Sequence, residues 1–375
     1  GASSGDTIQF MDGRYYLHSS HPSFKSKIYL PPTSPAITLR GNVSVTQQKI
    51  DGTTTTGGVI LDGFWAVGDR DGALITIENN SRIEGFEMTG GGDNDATSET
   101  PANWEGGAIR SVSASPTIDT VLVRDAQIKG PRTNGDRYFG AGMFFSGGSP
   151  TVNNVEIHTS VIWDGGGGLF FDGKGDSANL LTLTNSKIHD NRVGRYVNDD
   201  WNHGGNLYIY QGRAEVRGNQ FNAGVSLRRG GNVICKNCLH GTLFDNNAIY
   251  HGTAKWGGGM YFLHQSQTQQ VTMTNNRIYR NTATDASSGD GGGIYGFGNM
   301  SLLFSNNTVS ENISQNSTGE GAANFSILGT ANTFTLTNNI FSDAVGDASV
   351  SLDPALDVTN IEYNLHWNNH SGNFT

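Results

Sequence analysis

A short internal repeat constrains this chain more than any other feature. A glycine-rich start leads into a brief apolar run, and a second run then ends in an asparagine-rich turn. The starts read Gly106-Gly107-Ala108-Ile109, Gly140-Ala141-Gly142-Met143-Phe144, Gly167-Gly168-Leu169-Phe170, Gly204-Gly205-Asn206-Leu207-Tyr208, Gly230-Gly231-Asn232-Val233, Gly258-Gly259-Met260-Tyr261 and Gly292-Gly293-Ile294-Tyr295, with a degenerate Gly321-Ala322-Ala323-Asn324. The second runs include Leu181-Thr182-Leu183-Thr184-Asn185, Val271-Thr272-Met273-Thr274-Asn275-Asn276 and Leu302-Leu303-Phe304-Ser305-Asn306-Asn307. Apolar residues alternate within them, which predicts strands, and no helical period is sustained. A fixed period of a few tens of residues predicts a solenoid whose copies stack to bury a shared core. Asparagines at one turn position would then form a hydrogen-bonded ladder, as in other stacked parallel strands. The paired glycines predict tight corners.

Four of the six tryptophans fall just before glycine pairs: Trp104, Trp163, Trp201 and Trp256, with Phe139 in the same place in another copy. Stacked repeats would turn them into a ladder of flat rings. Such a row suits an extended carbohydrate, because a tryptophan offers an apolar face and a polar edge.

Composition agrees with one long solenoid of short strands and tight turns. The chain has 375 residues, 52 of them glycine, and only 15% are charged. Segments 90–103, 191–203 and 282–290 are polar and are expected to project as loops, where sites usually form. The net charge of −10 disfavours nucleic acid, for which a basic stripe would be needed. It also opposes a polyanionic glycan unless local cations or bound Ca2+ reverse the field. No apolar run approaches membrane-spanning length, so no membrane insertion is expected. The pair Cys235-Lys236-Asn237-Cys238 is compatible with a disulfide, a redox pair, or half of a zinc site with His240 and His251. A short disulfide pinning a turn is the preferred reading.

The repeat, with the opening Ser4-Gly5-Asp6-Thr7-Ile8-Gln9-Phe10, resembles the right-handed parallel β-helix of the pectate-lyase-like superfamily. The Gly106-Gly107-Ala108-Ile109 element, with Phe244-Asp245-Asn246-Asn247, resembles the repeats of polymorphic outer-membrane proteins. The resemblance implies an all-β, single-domain right-handed parallel β-helix with long loops. Residues 1–80 would form N-terminal coils and a cap, 81–348 regular coils, and 349–375 a decaying last coil. It also implies secretion or surface display and a polysaccharide partner, but not one chemistry.

The segments before the glycine pairs carry the candidate chemistry. For a polysaccharide lyase, Lys255, His203, Arg195 or Tyr138 would serve as base or acid, and Asp199 and Asp200 would hold Ca2+ against a uronate carboxylate. For a glycoside hydrolase, Asp164 with Asp199 or Asp200 would form the carboxylate pair. Substrate contact is expected from Trp104, Arg137, Tyr138, Trp163, Trp201 and Trp256. The expectation leans to a secreted lyase cleaving a polysaccharide in a groove along the helix. A hydrolase, a non-catalytic adhesion module and a phage-type depolymerase are the other readings.

Overall fold

The computed structural model describes residues 2–17, 28–42, 58–63, 73–93, 106–128, 138–194, 202–286, 290–315, 322–329, 333–346, 348–354 and 356–369. All regular structure among them is strand, and every pairing is parallel. The chain winds as a β-solenoid in which each coil pairs with the one before and after it. Three sheets run along the axis, with 21, 12 and 8 strands among the described residues. The first is the largest because each regular coil gives it two strands, such as Met143–Ser146 and Thr151–Asn153. The second sheet follows the asparagine turn, with strands such as Glu156–His158 and Lys187–His189.

The third sheet was not expected. Its strands are two residues long, among them Gly92–Asp93, Arg192–Val193 and Thr282–Ala283. These lie inside the segments expected to project as loops. Two residues are too few for alternation to appear in sequence, yet each pairs in register with its neighbouring coil.

Stacking aligns like with like. Met143, Leu169, Leu207, Val233, Met260 and Ile294 are successive partners on the first sheet. Val123, Ile157, Ile188, Phe221 and Ile249 are successive partners on the second. All are buried, and they belong to one core that extends from Leu17 to Leu356. Fully burying each such side chain contributes about 1.5–3 kcal/mol before entropy is subtracted. The stretch after residue 348 still pairs with the preceding coil, through Ala348–Leu352, Asp357–Glu362 and Leu365–Trp367, but the first two of these pairings carry a register shift.

The corner between the first and second sheets explains the Asn-Asn pairs. The first residue of each pair takes a left-handed conformation: φ is 54° at Asn246, 58° at Asn275, 58° at Asn306 and 56° at Asn338. Asparagine tolerates that region better than most residues. The second residue points into the helix. Asn247, Asn276, Asn307 and Asn339 are almost wholly buried. Each accepts at Oδ1 from the backbone N–H of the asparagine one coil earlier, at 2.8–3.0 Å. Each also donates from Nδ2 to a core-strand carbonyl at 2.9–3.0 Å. A second ladder runs beside the glycine corner. Asn191 donates to Asn206, Asn206 to Asn232, Asn232 to Asn281, Asn281 to Asn312 and Asn312 to Asn324. The expected ladder thus exists twice.

Removing one rung leaves buried partners on both sides unsatisfied, at about 1–3 kcal/mol for each. Asn276→Ala is expected to lower unfolding stability by about 3 kcal/mol in a denaturant titration. A loss below about 0.5 kcal/mol would contradict the ladder's role.

Candidate active site

The glycine corner feeds the first sheet, and its register fixes which side chains meet. Phe139, Gly165, His203, Arg229 and Trp256 are bridge partners on successive coils. Each precedes a left-handed glycine: Gly140, Gly166, Gly204, Gly230 and Gly257, with φ between 62° and 66°. A Cβ on Gly204 would approach the Leu207 carbonyl to 2.5 Å, so the corner admits only glycine without a shift of backbone. One step earlier lie Tyr138, Asp164, Asn202, Arg228 and Lys255, tied by the backbone bonds Gly165 N to Tyr138 O, His203 N to Asp164 O, Arg229 N to Asn202 O and Trp256 N to Arg228 O.

This register corrects the tryptophan ladder. Phe139 and Trp256 do share a column, but Trp163 lies two residues before the bridge position, not within it. It is only 6% exposed and packs edge-on against the fully buried Tyr138, with centroids 5.6 Å apart. Both rings belong to the core, where they display no open face. Asp164 is fully buried, and its Oδ2 accepts the Tyr138 backbone N–H at 2.8 Å. Trp104, Arg137, Arg195, Asp199, Asp200 and Trp201 lie outside the described residues, so the structure places neither the proposed Ca2+ ligands nor the carboxylate pair. Among the described residues no group of three or more His, Cys, Asp or Glu gathers to hold a metal.

The structure does bring together His203, Lys255 and Trp256, and sets Arg228, Arg229 and a group of outward rings beside them. On the first sheet, residues such as Met143 and Phe145 point into the core, so alternation sends Phe144, Phe170, Tyr208, Ile234, Tyr261 and Tyr295 outward. They form a second apolar cluster, nearly buried, with Phe139, Tyr210 and Trp256 against it. Cations sit on these rings. The Lys255 ammonium lies 4.4 Å from the Trp256 ring centroid, and the Arg228 and Arg229 guanidinium carbons lie 5.5 and 5.7 Å from it. Arg229 also stands 5.7 Å over Tyr261, and Lys236 stands 5.6 Å over Tyr210. Lys255 is ion-paired with Asp285. Arg228, Arg229, Lys255 and Trp256 remain half-buried, so their outer edges reach solvent.

The patch fixes protonation states. His203 is fully buried, and burial with the charges of Arg229 and Lys236 holds it well below the ordinary imidazole value. It is therefore neutral at working pH, and its ring meets Tyr208 edge-on at 5.6 Å. Burial pushes Tyr261 up to about 12 against the opposing charge and hydrogen bond of Arg229. Burial, with Tyr261 and Asp290, raises Tyr295 too. The site therefore combines fixed cations, a neutral imidazole and protonated phenols. These are groups that could bind an anion and transfer a proton. The Arg228-Arg229 pair was visible in sequence, but its meeting with Trp256 depends on register. A cavity of about 480 Å3 at Arg280, Glu311, Ile313, Asp343 and Val345 includes none of these groups. It is not the better candidate, since its chemistry amounts to one ion pair and a carboxylate.

No protein-family model and no curated protein matches the chain. Solved structures do. A structure of DFA-IIIase from Arthrobacter chlorophenolicus A6 without its lid aligns with TM-score 0.50 and 14% identity, over 96% of this chain and 82% of that one. A cysteine mutant of the same enzyme aligns with TM-score 0.50 and 12% identity, over 96% and 76%. The shared feature is the fold, a parallel β-solenoid.

His264, farther along a strand of the same sheet, gives a pH test. It is 1% exposed, and burial alone lowers it to about 4. A depressed histidine leaves the unfolded chain binding more protons between the two values. Stability is therefore complete above about pH 6.5 and falls as pH drops toward 4. His264→Leu is expected to flatten this part of the stability profile relative to the parent in denaturant titrations. An unchanged slope would show that His264 is not buried in its neutral form.

Proposed function

We propose that this protein is a secreted carbohydrate-active enzyme that holds an acidic polysaccharide against the outer face of the first sheet and cleaves it by β-elimination. The observation that carries the reading is the convergence of Arg228, Arg229 and Lys255 on Trp256, in a chain of net charge −10. The overall field opposes a polyanion, but the two guanidinium groups over low-dielectric rings would favour a uronate carboxylate locally, while Asp285 already pairs with Lys255. The likeness to an enzyme, the DFA-IIIase, supports a catalytic reading over an adhesion module. The disulfide between Cys235 and Cys238 supports an oxidising compartment.

Arg228 and Arg229 would pair with the uronate carboxylate and so acidify the neighbouring carbon-bound proton. Neutral His203 has the protonation state to accept that proton, and because its ring is fully buried the substrate would have to displace part of the patch to reach it. Tyr261, protonated and hydrogen-bonded to Arg229, would donate to the departing glycosidic oxygen. Lys255, held by Asp285, would steer the next acidic sugar. Trp256 supports the cations on its ring and leaves an edge for the sugar. Asp199 and Asp200 remain the proposed Ca2+ ligands, but no step here depends on the ion. Hydrolysis is less supported, because Asp164 is fully buried and committed to a backbone N–H.

The test incubates purified protein with neutral and uronic-acid polysaccharides, following unsaturated-uronide absorbance and reducing ends together. A rise in both, on acidic glycans only, is expected. Arg229→Met should then lower kcat/KM by about 100-fold, comparable with losing one charged transition-state contact. Reducing ends without unsaturation would mean hydrolysis. No cleavage, with glycan binding retained, would leave the patch as a binding surface.

A further inference from the structure

We propose that the cavity at the corner between the second and third sheets is an accessory binding site for a neutral oligosaccharide. It stands apart from the cation–aromatic patch on the first sheet and does not depend on the acidic-glycan reading.

The turn from the second sheet into the third repeats on successive coils, and register stacks its residues. Arg280, Glu311 and Asp343 occupy the same place, each in the left-handed region, with φ of 55°, 54° and 51°. Their backbone N–H groups donate to Ser310 O, Ser342 O and Trp367 O at 3.1–3.2 Å. At the asparagine corner of the same coils that conformation falls to Asn275, Asn306 and Asn338. Asparagine is the less costly residue there, so the backbone gives no reason for Arg280 or Glu311. Their side chains are 55% and 45% exposed, and a surface ion pair of this kind contributes little to stability.

The neighbouring column changes character at the same coils. The outward residues of the third sheet read Thr253, Thr282, Ile313 and Val345 on four successive coils. The column is threonine beside His251 and Arg280, and aliphatic beside Glu311 and Asp343. Val345 is left 47% exposed, which forfeits part of the gain from burying an aliphatic side chain. Arg280, Glu311, Ile313, Asp343 and Val345 together line a cavity of about 480 Å3, within the ~300–1,000 Å3 usual for small-ligand sites.

The lining selects the ligand. Arg280 Nε donates to Glu311 Oε2 at 2.7 Å, and Asn368 Nδ2 donates to Asp343 Oδ1 at 2.6 Å. Each bond orients a carboxylate and leaves its second oxygen as an acceptor. Two such acceptors one coil apart, about 4.8 Å, suit hydroxyls along one edge of a sugar ring. The outer N–H groups of Arg280 would donate to a further hydroxyl, and Ile313 and Val345 would meet the C–H face of the ring. Two carboxylates against one guanidinium leave an excess negative charge, which disfavours a uronate. Such a site anchors a glycan without cleaving it.

The test follows methyl NMR signals of the intact protein during titration with maltotriose, cellotriose and mannotriose, with a galacturonate trimer as the charged control. Saturable shifts of the Ile313 and Val345 methyls are expected with at least one neutral trimer, and weaker shifts with the galacturonate trimer. Glu311→Gln combined with Asp343→Asn should weaken that binding about tenfold, as loss of charge-assisted hydrogen bonds does. Val345→Asp should weaken it similarly, read at Ile313. The buried Ile188 and Val193 methyls should keep their parent positions in both variants, which separates lost contacts from unfolding. No saturable shift with any neutral trimer, equal shifts with the galacturonate trimer, or parent-like binding by both variants would overturn the proposal. Because the probes are neutral, its failure would leave the acidic-glycan reading standing, and failure of that reading would leave this site untouched.

Discussion

The constraint on which the structure depends is the register between coils. Each strand hydrogen-bonds to the same strand one coil away, so a residue's place in the repeat becomes its place in space. The two asparagine ladders keep that register from slipping. A slip of one residue would send every core side chain of a strand to the outside and would leave the buried asparagines without partners. The glycine corners act in the same direction, since only a residue tolerant of positive φ can stand at Gly204 or Gly257.

Register also builds the site. Arg228, Arg229, Lys255 and Trp256 come from two neighbouring coils, and Lys236 and Tyr210 from strands one coil apart. No short motif unites them. The outward rings give the cations an apolar floor, and the cations give the rings a reason to remain on the surface of a helix that already has a full core. The protonation states follow from this packing: a buried imidazole beside guanidinium groups stays neutral, and buried phenols keep their protons.

The repeat made most of the fold legible. Alternation in Val271-Thr272-Met273-Thr274 and the following Asn275-Asn276 turn marked strands and ladder together, because the physics of each is local. The third sheet was not legible, since Arg192–Val193 and Thr282–Ala283 are too short to show a period. The site was legible in part. Aligning copies by the distance from tryptophan to any glycine placed Trp163 level with Trp256. The corner is defined instead by the left-handed glycine, and that shifts Trp163 by two residues and buries it. Lys236 gave no signal, because its place over Tyr210 depends on register with the preceding coil, whereas the Cys235–Cys238 disulfide was already the preferred reading of that pair.

The central claim is that an acidic glycan lies along the outer face of the first sheet, on the cation–aromatic patch. A crystal structure of the protein with a bound uronate oligosaccharide tests it most directly. The account predicts a sugar carboxylate within ion-pairing distance of Arg228 or Arg229, and the glycan running across successive coils beside Trp256. An oligosaccharide seated on another face, such as the second sheet over His158, His189 and Tyr250, would contradict it.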